Sequence, residues 1–149
     1  MAPVVDCYNG YLPDHNEINV ASMEVNGHHT YLTLDTLWKA PFFFDEEPQE
    51  YKRDNWYKYI LDEYNPNYVD ITFCYATSFT GTVSVGDNPL FKSAEVIKNE
   101  NDYTLRLHLR KTGGFYGWYS YYNDNDQLCF QFLNPAKATA STGAYGADL

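Results

Sequence analysis

Basic side chains are few. Ten Lys and Arg stand against 20 Asp and Glu, a formal net charge of −10 at pH 7. Nucleic-acid binding needs an excess of cations to displace counterions from phosphates, so this balance argues against it. It argues equally against docking on anionic membranes. No apolar run approaches the ~20 residues of a membrane-crossing helix. The first ten residues lack the basic start and apolar stretch of a secretory leader.

Cysteine is also scarce. Cys7, Cys74 and Cys129 make an odd number without a C-x-x-C spacing. Neither a zinc site nor a disulfide framework is suggested. No Asn opens an N-x-Ser/Thr sequon. These absences favour a reducing, cytoplasmic setting, although a secreted chain whose leader has been removed reads the same way. Phosphate loops, dinucleotide fingerprints and nucleophile elbows are missing too, so no cofactor is expected.

What the chain has in quantity is aromatic surface: 15 Tyr, 9 Phe and 3 Trp, or 18% of its 149 residues. A chain of this length can bury one core. The expected organisation is one globular domain over 1–134 and a flexible tail rich in Ala, Gly, Ser and Thr over 135–149. The net charge reads first as a means of keeping an aromatic-rich protein soluble.

Hydrophobic periodicity gives the elements. The first 27 residues, rich in Pro, Asn, Asp and Gly, read as loops with a short strand or helical turn. Residues 30–38, 68–75, 80–85 and 94–98 read as strands. Asp45-Glu46-Glu47-Pro48 reads as a helix start, with acids at the positive end of the dipole and Pro in the first turn. One main helix is expected over about 48–64, ended by Asn65-Pro66-Asn67.

Three segments, 103–110, 115–122 and 128–133, read as an antiparallel meander. Leu105, Leu107 and Leu109 alternate with Arg106, His108 and Arg110. A three-residue Thr112-Gly113-Gly114 turn and an even-length turn over 123–126 set the parity. That parity groups the leucines with Tyr119, Tyr121, Phe130 and Phe132 on an oily face. The opposite face then carries Arg106, His108, Arg110, Tyr116, Trp118, Tyr122 and Gln131. The expected fold is α+β and β-dominated, a mostly antiparallel sheet curled into a barrel or sandwich with the one helix packed on it.

Flat rings beside hydrogen-bond donors suit a small organic or carbohydrate ligand. Arg106, Arg110, Tyr116, Trp118, Tyr122 and Gln131 are the candidate binding residues. The alternative is a cofactor-free enzyme, an isomerase, cyclase or dehydratase, with His108 as acid or base and Asp70 or Asp35 orienting it. A third reading is an acidic interaction module, an inhibitor or immunity protein that meets a basic protein partner. His15, His28 and His29 do not make a convincing metal site, because neighbours on a strand point to opposite faces. No metal is expected.

Overall fold

The computed structural model describes residues 16–39, 41–47, 66–110, 115 and 117–135. Nine strands run through them: β1 Asn16–Asn26, β2 His29–Thr36, β3 Phe42–Glu46, β4 Tyr68–Cys74, β5 Ala76–Thr80, β6 Phe91–Lys98, β7 Asp102–Leu109, β8 Trp118–Tyr122 and β9 Leu128–Leu133. No helix occurs among the described residues. The helix expected over 48–64, the tail from 136 onward and Tyr116 lie outside them.

The strands form two open sheets rather than a closed barrel. One has five strands in the order β5-β1-β2-β9-β8, the other four in the order β3-β4-β7-β6. All neighbours are antiparallel except β1 and β5, which run parallel.

Alternation in the sequence explains why the sheets stack. Val69, Ile71 and Phe73 of β4 share a face with Leu105, Leu107 and Leu109 of β7, and all six are buried. Ile18, Leu32, Leu34, Leu128, Phe130 and Phe132 do the same on the five-stranded sheet. The two apolar faces meet in one core. Rings interlock across the gap: Phe91 meets Phe132 edge-on at 5.0 Å, and Phe42 meets Phe130 at 5.0 Å. Each such side chain, fully buried, stabilises the fold by ~1.5–3 kcal/mol.

Buried amides tie the layers together. Thr30 Oγ1, on β2, donates to Asn134 Oδ1 at 2.6 Å and accepts from Asn88 Nδ2 at 3.2 Å. Asn88 Oδ1 also accepts the backbone N–H groups of Leu90 and Phe91, at 2.8 and 2.9 Å. One network thus joins the five-stranded sheet to the loop that enters β6. At the crossing from β2 towards β3, the buried Asn16 amide donates to the Trp38 carbonyl and accepts the Trp38 N–H, both at 3.1 Å.

Several expectations need correction. Residues 16–26 form one long strand of 11 residues, where loops with a short strand or helical turn were expected. A bulge between Val20 and Ser22 breaks the alternation in the middle of β1 and hides its period in the sequence. The strand expected over 80–85 is displaced: β5 spans Ala76–Thr80 and stops at Gly81. Gly81 has φ +86°, and a Cβ there would lie 2.7 Å from the Val20 carbonyl, so the chain can pass the bulge only as glycine.

Of the expected meander only the antiparallel β8–β9 pair is present. β7 lies between β4 and β6 in the four-stranded sheet, whereas β8 pairs with β9 in the other. Both edges of β7 are occupied, so no edge is left for a hairpin partner. The cysteine reading changes as well. Cys74 is disulfide-bonded, and Cys129 is a buried free thiol.

Candidate ligand-binding face

The residues expected to share one face are divided among different surfaces. Arg106 and His108 point outward from the four-stranded sheet. The Arg106 guanidinium donates to Asp70 through Nε at 2.9 Å and Nη2 at 3.0 Å, and lies 3.9 Å from the centre of the Tyr68 ring. The hydrogen bonds to Asp70 come first among the causes that raise its pKa, and hold it charged. His108 Nε2 lies 2.7 Å from Glu95 Oε2. Asp70 therefore orients Arg106 and not His108, while Asp35 belongs to the other sheet.

Arg110 has a different task. Its Nε donates to the Asn88 carbonyl at 2.6 Å and its Nη2 to the Gly86 carbonyl at 2.9 Å, which fastens the loop before β6. Trp118 and Tyr122 lie on the inward side of β8, paired with Phe132 and Leu128. Trp118 stacks on Phe44 of β3 at 4.4 Å, and Lys39 Nζ lies 5.1 Å from the Tyr122 ring centre. Gln131 alone points outward from the five-stranded sheet.

The loop between β8 and β9 causes part of this rearrangement. Tyr122 pairs with Leu128, so the loop covers the five residues 123–127 and its length is odd. Asn123 builds it. Its Oδ1 accepts the N–H groups of Asn125 and Gln127, at 2.9 and 3.0 Å, and its own N–H bonds to the Gln127 carbonyl at 3.0 Å. Asp126 takes the left-handed conformation with φ 60°. The parity of β8 is therefore the reverse of the one an even loop gives. Tyr119 and Tyr121 turn out to solvent, and Trp118 turns in.

The outward face of the five-stranded sheet thereby becomes the most ring-rich outer surface of the described residues. One register row reads Glu24, Tyr31, Gln131, Tyr119 across β1, β2, β9 and β8. The next reads Ser22, Thr33, Cys129, Tyr121. Tyr119 is 59% exposed and lies 5.5 Å from Tyr121, ring to ring, with 34° between the planes. His29 flanks Tyr31 at 6.0 Å. Burial pushes the Tyr121 phenol above its ordinary pKa, helped by the Cys129 side chain and then by Tyr31 and Tyr119. The phenol keeps its proton and with it a donor.

Beyond these rows the face becomes concave. A depression of about 310 Å³ is lined by Glu17, Ile18, Asn19, Asp35, Thr36, Leu37, Ser78 and Thr80. Its polar groups are cross-braced. Asp35 accepts from Gln127 Nε2 at 3.0 Å and from Asn19 Nδ2 at 3.4 Å, and Thr80 donates to Asn19 Oδ1 at 2.8 Å. Of the described residues that point outward from these five strands, none is Lys or Arg.

Tyr31, Tyr119 and Tyr121 were not among the sequence candidates. The outward placement of Tyr119 and Tyr121 depends on the parity of an Asn/Asp turn that Asn123 caps, whereas the face of Tyr31 is set by β2. Among the described residues no group of three His, Cys, Asp or Glu could hold a metal ion, and no helix is long and apolar enough to cross a membrane. No protein-family model, curated protein or solved structure matches the chain, so the meaning of this face must come from its own chemistry.

Proposed function

We propose that the protein binds carbohydrate on the outward face of the five-stranded sheet. Tyr31, Tyr119 and Tyr121 stack against sugar rings there. Gln131, between Tyr31 and Tyr119 in the register, supplies an amide that both donates and accepts. The observation that carries this reading is the exposed Tyr119 ring beside Tyr121, on a regular sheet that holds both in place. A sugar ring offers C–H groups to an aromatic face and hydroxyls to amides, so a platform with polar neighbours answers both. A flat, open face also suits an extended chain better than an enclosed small molecule. The Cys74 disulfide supports an oxidising, extracytoplasmic setting, where polysaccharides are met.

The test is co-sedimentation with insoluble polysaccharides, followed by calorimetric titration of soluble fragments of whichever one is bound. Tyr119→Ala and Tyr31→Ala are expected to weaken binding about tenfold or more, equivalent to ~1.4 kcal/mol each. Binding unchanged in both variants overturns the assignment.

The acid–base reading retains one observation in its favour, the 2.7 Å contact between His108 and Glu95 beside Tyr68 on the other sheet. It requires His108→Ala to abolish a turnover. The carbohydrate reading requires that substitution to leave binding unchanged.

A further inference from the structure

We infer that the ligand is a neutral oligosaccharide chain that crosses the sheet diagonally, from the tyrosine rows on the β8 side to the depression lined by Asn19, Asp35, Ser78 and Thr80 on the β5 side. This rests on the carbohydrate reading and adds a direction, a minimum length and a charge class.

The register gives the direction. Tyr31 and Asp35 both point outward from β2, four residues apart, with Thr33 between them. At ~3.3 Å per residue that is about 13 Å. The row of Thr33, Cys129 and Tyr121 lies between the two ends, and because Tyr119 is on β8 while Ser78 and Thr80 are on β5, the path also crosses strands. A single sugar ring on Tyr119 cannot reach Asp35. A chain long enough to span both gains contacts that a short one lacks.

The depression suits the far end of such a chain. Its lining combines three hydroxyls, an amide and two carboxylates, and Gln127 and Asn19 hold the Asp35 carboxylate in place. Donors and acceptors fixed in this way read hydroxyl positions without first paying to order themselves.

Charge excludes one class of ligand. Glu24 and Asp35 lie on this face, and none of the described residues that point outward from these strands is Lys or Arg. Uronates and sulfated sugars meet charge of like sign there, and the described outward residues of these strands offer no guanidinium or ammonium of the kind that anion recognition uses. The chain's net charge of −10 adds to this repulsion at longer range.

The experiment titrates the full chain with cello- and manno-oligosaccharides of increasing length, and with oligogalacturonate of matching length as the anionic comparator. Three proteins are compared: parent, Tyr119→Ala and Ser78→Phe. Phe at position 78 fills the depression and leaves Asp35 and its braces intact. Affinity of the parent for a neutral series should rise with length and then level off, and oligogalacturonate should bind at least about tenfold more weakly. Ser78→Phe should lose the gain with length but bind the shortest ligands like the parent, while Tyr119→Ala loses both. Thermal denaturation of each variant separates folding defects from binding defects. If neutral sugars bind through Tyr119 with no dependence on length or on Ser78→Phe, the extended site is wrong and the platform stands. If oligogalacturonate binds as tightly as the neutral chains, the charge assignment is wrong. If no neutral oligosaccharide binds through Tyr119, the carbohydrate reading itself fails.

Discussion

The Trp118 indole lies against the Phe44 ring with centroids 4.4 Å apart and planes 20° from parallel. Trp118 belongs to the edge strand of one sheet and Phe44 to the edge strand of the other. Their stack closes the side of the sandwich where β8 and β3 run free. Phe115 extends it, stacked on Phe44 at 6.1 Å, and Phe42 meets Trp118 at 6.2 Å from the sheet side. Two strands that are sheet edges among the described residues are thus joined by rings.

Trp118→Ala and Tyr119→Ala should therefore fail in different ways, although the residues are adjacent. Trp118 is 40% exposed, so truncating it costs less than the loss of a fully buried ring, about 2 kcal/mol. Carbohydrate binding should survive in the folded fraction. Tyr119 packs mainly against Tyr121 on the outside, and its loss should change stability by no more than about 0.5 kcal/mol while removing binding. Urea unfolding and ligand titration of the two variants check this. The same loss of binding in both would place the ligand at the sheet edge instead.

Asn88 should be among the least replaceable residues of the described fold. It is 4% exposed and makes three side-chain hydrogen bonds, to Thr30, Leu90 and Phe91. Alanine would leave buried N–H groups and the Thr30–Asn134 pair short of partners. Each such group costs ~1–3 kcal/mol, so a loss of about 3 kcal/mol or more is expected. Arg110→Ala removes bonds to the Asn88 and Gly86 carbonyls of the same loop and should add less than its own single cost in the double variant. In urea, the midpoint should fall while the slope stays constant. Additive losses would mean that the two residues do not hold one unit.

Much of this fold is legible in the sequence, for a physical reason that also marks where reading fails. Strict alternation in Leu105–Arg110 and Val69–Phe73 fixes which side chains are buried, because burial is a property of the strand itself. Pairing is not. Nothing in 102–109 says that β4 and β6 take both of its edges, and a Thr-Gly-Gly turn after it resembles a hairpin whether or not its strands pair. Arg106 and His108 do point away from the leucines, as their alternation requires. Trp118 and Tyr122, expected beside them, lie on the other sheet. In β1 the bulge at Val20/Ser22 erased the pattern, and around Asn123 a side-chain cap reversed it. A one-residue change of phase exchanges the faces of a strand. Gln131 kept its place because β9 starts and ends where its own alternation does.

Asp45 offers a test of the outer face of the four-stranded sheet. It pairs in register with Asp70, the carboxylate that Arg106 grips. Burial pushes the Asp45 pKa above its ordinary 3.8, and the negative charge of Asp70 pushes it further. Burial moves its neighbour Glu46 in the same direction. A carboxyl raised in the folded state favours folding while it is protonated. That contribution is complete below the unfolded pKa and is lost as pH climbs through the folded one, because the unfolded chain releases its proton first. At neutral pH the folded protein carries an ionised Asp45 at a disadvantage. Asp45→Asn keeps the shape and removes the charge. It should match the parent near pH 3 and melt about a degree or two higher at pH 7. Melting curves of both proteins across this range decide the matter. A variant less stable at pH 7 would show that Arg106 serves Asp45 as well as Asp70, and a difference that does not change with pH would show that the Asp45 charge is not its cause.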